Sequence, residues 1–368
     1  MKERHICILW GLDSFIPLDI INIIKGYDYY LELRIVKVIT DGGTNEIYSI
    51  GNNTIIYDNI LNQINISDSD PRNNLKLTLN SLKNPSTIIY SFPDTQNIIL
   101  NSFDDRNHCL EFYYPPYNLK SISKDRKFLI KFEEPESVNF MIQLPNLDYC
   151  IGMESGDIQI WGESNNDLVL KYTLNGHGSP IIDIIIVPST DSFGFSLISL
   201  SEDKIIKIWD METHITKLIL KDELPNDDAH LKYLGENKIL YISDTNIIIW
   251  NYIKGLKINM IDLSDINITS TLLLDDKIFI RNSNKIIILS AKTLNTITQV
   301  NYPNSRNLQI LPDNNIIMTD YYGLVSILNT KTYEIDHTFQ TYGNAYNICV
   351  LPNGLCAINK ETHIEILE

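Results

Sequence analysis

One short motif recurs along this chain and is complete only once. The complete copy consists of Gly176-His177, the segment Ser199-Leu200-Ser201-Glu202-Asp203, and a following apolar run that ends in Trp209-Asp210. Eroded copies keep only the apolar run and its final tryptophan or leucine. The final positions of five successive copies are Trp161, Trp209, Trp250, Leu289 and Leu328, which lie 48, 41, 39 and 39 residues apart. This regular pitch indicates stacked repeats of one small structural unit.

Each copy is predicted to contain four short strands. The pattern x-Ile-x-Ile-(Trp/Leu) marks the third strand, and segments such as 168–174, 214–220 and 256–263 follow it as fourth strands. Four antiparallel strands at a pitch of about 40–45 residues describe one blade of a β-propeller. The predicted third strands are 54–58, 109–113, 157–161, 204–209, 246–250, 285–289, 324–328 and 362–367. We therefore predict an all-β propeller over residues 33–368 with eight blades, or seven if one of the first two units is irregular.

The N-terminal residues 1–32 follow a different pattern. The last repeat ends without a fourth strand, and the apolar segment 5–10 is predicted to supply it and so close the ring without an exposed sheet edge. Apolar residues then recur at helical spacing, with Pro17 suited to a first helical turn and Gly26 to a C-terminal cap. One short amphipathic helix is predicted over residues 17–25.

Charge and cysteine content exclude several classes of function. The net charge of -16 repels phosphate backbones and anionic lipid, which argues against nucleic-acid and membrane binding. Five cysteines, odd in number, far apart and without a Cys-x-x-Cys pair, fit reduced thiols in a cytoplasmic protein. The seven histidines do not pair at metal-ligand spacing, so no metal and no cofactor is expected.

The complete motif resembles the WD40 family. In that family a His, a Ser or Thr, an Asp and a Trp form a hydrogen-bonded set that joins the strands of one blade. By position, the resemblance assigns these roles to His177, to Ser199 or Ser201, and to Asp203 and Trp209. Asp244 occupies the aspartate position before Trp250, but that copy lacks the Gly-His pair. The other blades are expected to be held by packing alone.

The N-terminal helix resembles the opening of an F-box. The segment matches the pattern Leu-Pro-x-(Glu/Asp)-(Ile/Val) over about a dozen residues, and the remaining F-box helices have no counterpart. With degenerate, Ile/Asn-rich WD repeats behind it, the layout is similar to WD-repeat proteins of giant amoeba-infecting DNA viruses, some of which carry an F-box-like or BTB module. The candidate contact residues here are Ile16, Pro17, Leu18, Ile20 and Ile21. The resemblance implies a substrate adaptor for a host ubiquitin ligase, located in the host cytoplasm or the virion.

A second candidate contact is an aromatic stretch just past the second predicted third strand. Phe112, Tyr113, Tyr114 and Tyr117 flank two prolines, which would make a stiff loop with exposed rings suited to a protein contact. The competing interpretation is that several of these rings cap the edge of a blade.

The expected function is a non-enzymatic scaffold, monomeric, that binds protein partners. A catalytic triad of His177, Asp203 and a serine is the less favoured interpretation of the complete motif, and no nucleophile elbow, P-loop or dinucleotide fingerprint occurs. The alternatives from other classes are a propeller hydrolase or dehydrogenase with its site on the central channel, and a propeller that binds a sugar or another small ligand.

Overall fold

A computed structural model describes residues 137–367 except 166, 190–193, 222–228, 267, 342, 352–353 and 361–362, together with the strands between residues 35 and 133. Every regular element in the described part of the chain is a β-strand. A helix of sufficient length and hydropathy to span a bilayer does not occur among these residues. The predicted helix 17–25 and the segment 5–10 lie outside the described residues.

The described strands form four-stranded antiparallel sheets, eight in number within this part of the chain. In seven of them the strands follow chain order. The first four sheets in chain order contain β2 (Ile47–Ser49), β3 (Thr54–Asp58), β4 (Ile64–Asp68) and β5 (Lys76–Leu79); β6 (Ile88–Phe92), β7 (Asn97–Asp104), β8 (Asn107–Tyr113) and β9 (Arg126–Glu133); β10 (Val138–Gln143), β11 (Tyr149–Met153), β12 (Ile158–Ser164) and β13 (Asp167–Leu174); β14 (Ile181–Pro188), β15 (Phe195–Ser201), β16 (Ile205–Trp209) and β17 (Thr216–Lys221).

The later sheets repeat the same order. They contain β18 (His230–Gly235), β19 (Lys238–Ile242), β20 (Asn246–Asn251) and β21 (Leu256–Asp262); β22 (Ser270–Leu274), β23 (Lys277–Arg281), β24 (Lys285–Ser290) and β25 (Thr296–Asn301); β26 (Ser305–Ile310), β27 (Ile316–Asp320), β28 (Leu324–Leu328) and β29 (Ile335–Gln340); and, in the last sheet, β30 (Ala345–Val350), β31 (Cys356–Lys360) and β32 (Ile364–Leu367) with β1 (Ile35–Ile39). Seven of the eight predicted third strands overlap the third strand of one of these sheets. The eighth, 54–58, is β3, the second strand of its sheet, so that assignment is wrong.

The last sheet takes its fourth strand from the other end of the chain. β1 pairs antiparallel with β32, with Val38 opposite Glu365 and Ile39 opposite Ile364. The sequence prediction placed residues 5–10 in this position, and that assignment is wrong, because β1 occupies the free edge of β32. Both segments are apolar and contain isoleucines that suit a strand, so the sequence pattern alone does not decide between them.

Apolar side chains of adjacent sheets pack face to face. The second and third strands are almost entirely buried in several sheets, as in β15 and β19–β20, because both of their faces are covered. One core cluster joins Ile198 and Ile206 of one sheet to Leu231 and Trp250 of the next. The fourth strands alternate between half-buried and exposed residues, as edge strands do.

Two β-bulges recur at fixed places in the repeat. In six sheets the pairing of the third and fourth strands shifts at the final tryptophan, leucine or tyrosine of the third strand, for example between Ile208 and Trp209. In four sheets the second residue of the first strand is skipped, as at Arg306 in β26 and Tyr346 in β30. A bulge increases local twist and re-aims one side chain, so the skipped residues are placed for contacts outside their own sheet.

Candidate functional site

The structure brings the complete motif together in the sheet β14–β17. The Nδ1 atom of His177 lies 3.0 Å from Asp203 Oδ2, and its Nε2 atom lies 2.7 Å from Ser199 Oγ. The indole Nε1 of Trp209 donates to the same Ser199 Oγ over 2.8 Å. Ser201 is not part of this chain of bonds, because its hydroxyl donates to Ser179 O.

Donor and acceptor capacity determines the direction of these bonds. An indole N–H can only donate, so Ser199 Oγ accepts from Trp209 and donates its own proton to His177 Nε2. The proton of a neutral His177 then lies on Nδ1 and is donated to Asp203. Every polar group has a partner in this arrangement, and the imidazole carries no charge.

The surroundings of the ring favour that neutral form. Burial lowers the pKa of His177, and the nearby Asp203 carboxylate only partly opposes this effect. Burial also pushes the pKa of Asp203 upward, but the N–H of Gly178 and the His177 ring donate to this carboxylate and lower its pKa overall. The motif therefore contains an ionised Asp203 and an uncharged His177 at neutral pH.

The geometry resembles a catalytic triad, but the candidate nucleophile is inaccessible. Ser199 is 0% exposed and the His177 side chain is enclosed, so no substrate reaches either atom. The arrangement ties β15 and β16 to the segment that precedes β14. Two neighbouring sheets lack it: the indole of Trp161 bonds to Gln159 of its own strand, and Trp250 Nε1 is buried without a partner among the described residues.

The aromatic stretch near residue 112 contributes to the core. Phe112 is 0% exposed and packs edge-on against Tyr149 of the next sheet, with ring centroids 5.1 Å apart. The prediction that Phe112 contacts a partner is wrong, because the inward-facing side of β8 carries it. Tyr113 belongs to β8, whereas Tyr114, Tyr117 and the helix residues Ile16, Pro17, Leu18, Ile20 and Ile21 lie outside the described residues.

An exposed cluster that sequence reasoning missed lies on the loop face, the end of the sheets where second and third strands are joined. The guanidinium carbon of Arg306 lies 5.0 Å from the centroid of the Tyr321 ring and 5.4 Å from that of Tyr346. Tyr322 packs edge-on against Tyr321 and is 60% exposed, and Asn344 donates to the Tyr321 hydroxyl. We call these residues, Arg306, Tyr321, Tyr322, Asn344 and Tyr346, the Tyr–Arg patch.

Two backbone hydrogen bonds and a glycine at the turn fix the hairpin that carries the two tyrosines. The Tyr321 N–H donates to Asn304 O, and the Tyr321 carbonyl accepts from Ala345 of the next sheet. Gly323 closes the hairpin at a φ of +84°, a backbone conformation that glycine adopts without strain. The patch is therefore rigid before any partner arrives, which lowers the entropy cost of binding.

A buried ion pair supports the hairpin from within. Lys360 is 1% exposed; its Nζ donates to Thr341 Oγ1 and lies 3.9 Å from Glu365 Oε2. Thr341 Oγ1 in turn donates to Gly323 O over 2.6 Å. Burial lowers the pKa of Lys360, and the charge of Glu365 opposes this effect. The network connects the last sheet to the hairpin of the sheet before it.

Metal-binding geometry is not found in the described part of the chain, where no three His, Cys, Asp or Glu side chains are placed to hold an ion. The chemistry offered by the Tyr–Arg patch is that of recognition: aromatic surface, one guanidinium and several hydrogen-bonding groups. Tyr and Arg are the residue types enriched at the energetic centres of protein interfaces.

Solved structures show which class of fold this is. The chain is similar to Saccharomyces cerevisiae Sqt1, with a TM-score of 0.69 and 10% identity, covering 91% of this chain and 99% of that one. It is similar to the Dos1 propeller, with a TM-score of 0.69 and 7% identity over 92% and 94% of the two chains. A computationally designed protein, Ika8, gives a TM-score of 0.66 and 12% identity over 89% and 96%.

Sequence comparisons add nothing to this: no protein-family model and no curated protein matches the chain. At identities of this size the likeness to solved structures establishes the fold alone. The fold is a β-propeller.

Proposed function

We propose that this protein is a non-enzymatic scaffold that binds a protein partner through the Tyr–Arg patch. The observation that carries the proposal is the exposure of Tyr322 and Tyr321 beside Arg306 on a hairpin that is already rigid. Exposed aromatic rings beside a half-buried guanidinium are what an interface hot spot requires. The neighbours with a propeller fold are consistent with such a role.

A photo-crosslinking experiment tests the proposal. We would place p-benzoylphenylalanine at Tyr322 in the full chain, and at Ile253 in a matched control, because Ile253 is also exposed but lies in a turn between third and fourth strands at the opposite end of the sheets. A partner that crosslinks at position 322, does not crosslink at 253 and is lost in Tyr321→Ala supports the proposal. The same proteins at both positions would contradict it.

The finer version of the proposal is a viral substrate adaptor for a host ubiquitin ligase, in which the N-terminal helix binds the ligase. Its support is the F-box-like segment at residues 16–21, together with a separate surface on the propeller for the substrate. Deletion of residues 1–32 should then remove co-purifying cullin-type ligase components and leave the Tyr322 crosslink intact. If full-length protein recovers no ligase component, the adaptor role is excluded and the scaffold role is unaffected.

We also infer that the eight sheets close into a ring of eight blades, joined where β1 meets β32. The support is the pairing of Ile39 with Ile364 in one sheet, which links the two ends of the chain. Cysteines at these two positions should form a disulfide under mild oxidation, detected as one crosslinked peptide by mass spectrometry. Absence of the disulfide in the folded protein would contradict closure through β1.

A further inference from the structure

We propose that the Tyr–Arg patch binds the carboxylate side chain of an Asp or Glu in an extended segment of the partner, with Arg306 as the direct contact and Arg281 behind it. This inference rests on the proposed function and names the chemistry of the partner.

The first observation is the placement of Arg306 by a bulge. β26 and β30, the first strands of two consecutive sheets, contact each other, and each skips its second residue in the pairing with the neighbouring strand. Those skipped residues are Arg306 and Tyr346. Because a bulge re-aims the side chain of its extra residue, both side chains turn toward the junction of the two sheets, where Tyr321 completes the cluster.

The second observation is a pair of arginines whose charges are not neutralised. Burial and the charge of Arg306 lower the pKa of Arg281 to about 10, so the two guanidinium groups act on each other. Arg281 donates to the backbone carbonyls of Ser305 and Thr269, which are neutral acceptors, and its Nε is buried without a partner among the described residues. Within the same part of the chain, neither arginine forms an ion pair with a carboxylate.

Asp320, the acidic residue next to the tyrosine hairpin, does not serve as the counter-ion. Asp320 ends β27, directly before the tyrosine hairpin, and it is almost fully buried. Its Oδ1 accepts the N–H of Leu324 over 2.7 Å and so stabilises the hairpin. Arg281 donates to the carbonyl of Ser305, the residue next to Arg306, so the two cations are close neighbours, and a ligand carboxylate would relieve their repulsion.

The geometry favours a carboxylate over a phosphate. The half-buried Arg306 lies beside the rings of both Tyr321 and Tyr346, which cover part of its guanidinium and leave a ligand to approach one edge of the planar donor fork. A carboxylate pairs with one such edge through two parallel hydrogen bonds. A phosphate dianion brings a larger charge to a protein whose net charge is -16, and this site offers it one half-buried guanidinium. The exposed ring of Tyr322 favours an apolar residue next to the acid.

A random dodecapeptide library displayed on phage, selected against the immobilised full chain, is the probe. We expect the recovered peptides to share an Asp or Glu beside an apolar residue. A labelled peptide from that selection should lose at least about ten-fold in affinity when its acid is changed to the amide, measured by fluorescence anisotropy. Arg306→Gln should lose a similar factor and should bind the acid and amide peptides equally, whereas Arg306→Lys should be intermediate.

The matched control is Lys254→Gln, which removes one positive charge from an exposed turn at the other end of the sheets and should leave both affinities unchanged. The inference is overturned if no peptide is selected, if the selected peptides lack a shared acid, or if Arg306→Gln keeps the preference for the acid. It is also overturned if phosphoserine in place of the acid binds at least about ten-fold more tightly. A specific Tyr322 crosslink alongside any of these results would leave the scaffold role standing without the carboxylate site.

Discussion

Replacing Ser199 with alanine tests whether the hydrogen-bonded motif stabilises the fold. Ser199 Oγ joins the indole of Trp209 to the imidazole of His177 by hydrogen bonds, because it accepts from one and donates to the other. Alanine fits the same space, so the variant removes two hydrogen bonds without creating steric conflict. Trp209 is 0% exposed, and water cannot replace the lost partner there.

The expected loss follows from the groups left unpaired. Each buried polar group without a partner costs about 1–3 kcal/mol. Ser199→Ala leaves two such groups, Trp209 Nε1 and His177 Nε2, and the imidazole can shift slightly toward Asp203. We therefore expect a destabilisation of about 2–4 kcal/mol.

Ser305→Ala is the matched control. Ser305 is also buried, and its hydroxyl has no hydrogen-bond partner among the described residues. Removing an unsatisfied hydroxyl should change the stability by less than about 0.5 kcal/mol. Equilibrium urea unfolding followed by circular dichroism gives both values, and hydrogen exchange measured by mass spectrometry shows whether the loss of protection is centred on β14–β17.

A double-mutant cycle with Trp209→Phe isolates the indole bond. The coupling between positions 199 and 209 should be about 1 kcal/mol, since phenylalanine has no N–H to leave unpaired. If Ser199→Ala costs no more than Ser305→Ala, or if the two positions show no coupling, the motif does not stabilise this sheet and our reasoning about its role is wrong.

Three further perturbations have outcomes that the structure determines. Burial lowers the pKa of His177 below its usual 6.5, so the unfolded chain binds this proton before the folded protein does as the pH falls. The free energy of unfolding should therefore decrease between about pH 7 and the lowered pKa, and it should decrease less in His177→Gln. Urea unfolding midpoints measured across that pH range test this. Lys360→Met should cost up to about 3–5 kcal/mol, because the buried Glu365 carboxylate then keeps only its contact with His363. Adding Glu365→Gln should recover part of that loss in the same unfolding assay, and no recovery would mean that the ion pair is not the cause. Asp183→Ala should cost about 1–3 kcal/mol, because its Oδ2 accepts the buried N–H of Leu231 from the next sheet, and faster hydrogen exchange at Leu231 is the direct measurement.

The repeat could be predicted from the sequence because its pattern is local. In β16 and β20 the alternation of isoleucines before a tryptophan identifies the strand, and the structure confirms both strands to within one residue. The turn positions could be predicted in the same way, because Gly-His and Ser-x-Ser-x-Asp have a defined spacing. The fourth strand of the last sheet is residues 35–39 and not the predicted residues 5–10. Both segments are apolar, and only pairing in three dimensions decides between them.

The Tyr–Arg patch could not be found by motif, because it depends on convergence between sheets. One signal was present: Ser305-Arg306-Asn307-Leu308 and Ala345-Tyr346-Asn347-Ile348 match in pattern and lie one repeat apart. That match places Arg306 and Tyr346 at equivalent positions of neighbouring units. Which of the two faces of a strand they occupy depends on the bulges, and the sequence does not reveal a bulge.

The same position of the repeat holds a stabilising side chain in one sheet and a solvent-exposed side chain in another. The turns after β15 and β27 are closed by equivalent backbone bonds, from Lys204 N to Ser201 O and from Gly323 N to Asp320 O, which makes Tyr322 the counterpart of Asp203. Where Asp203 orients a buried histidine, Tyr322 points into solvent, and its hairpin is held instead by the backbone and by Thr341. A sheet that is stabilised without the motif leaves this position free for a side chain that binds a partner. Erosion of the repeat and the proposed docking surface are therefore linked in this molecule.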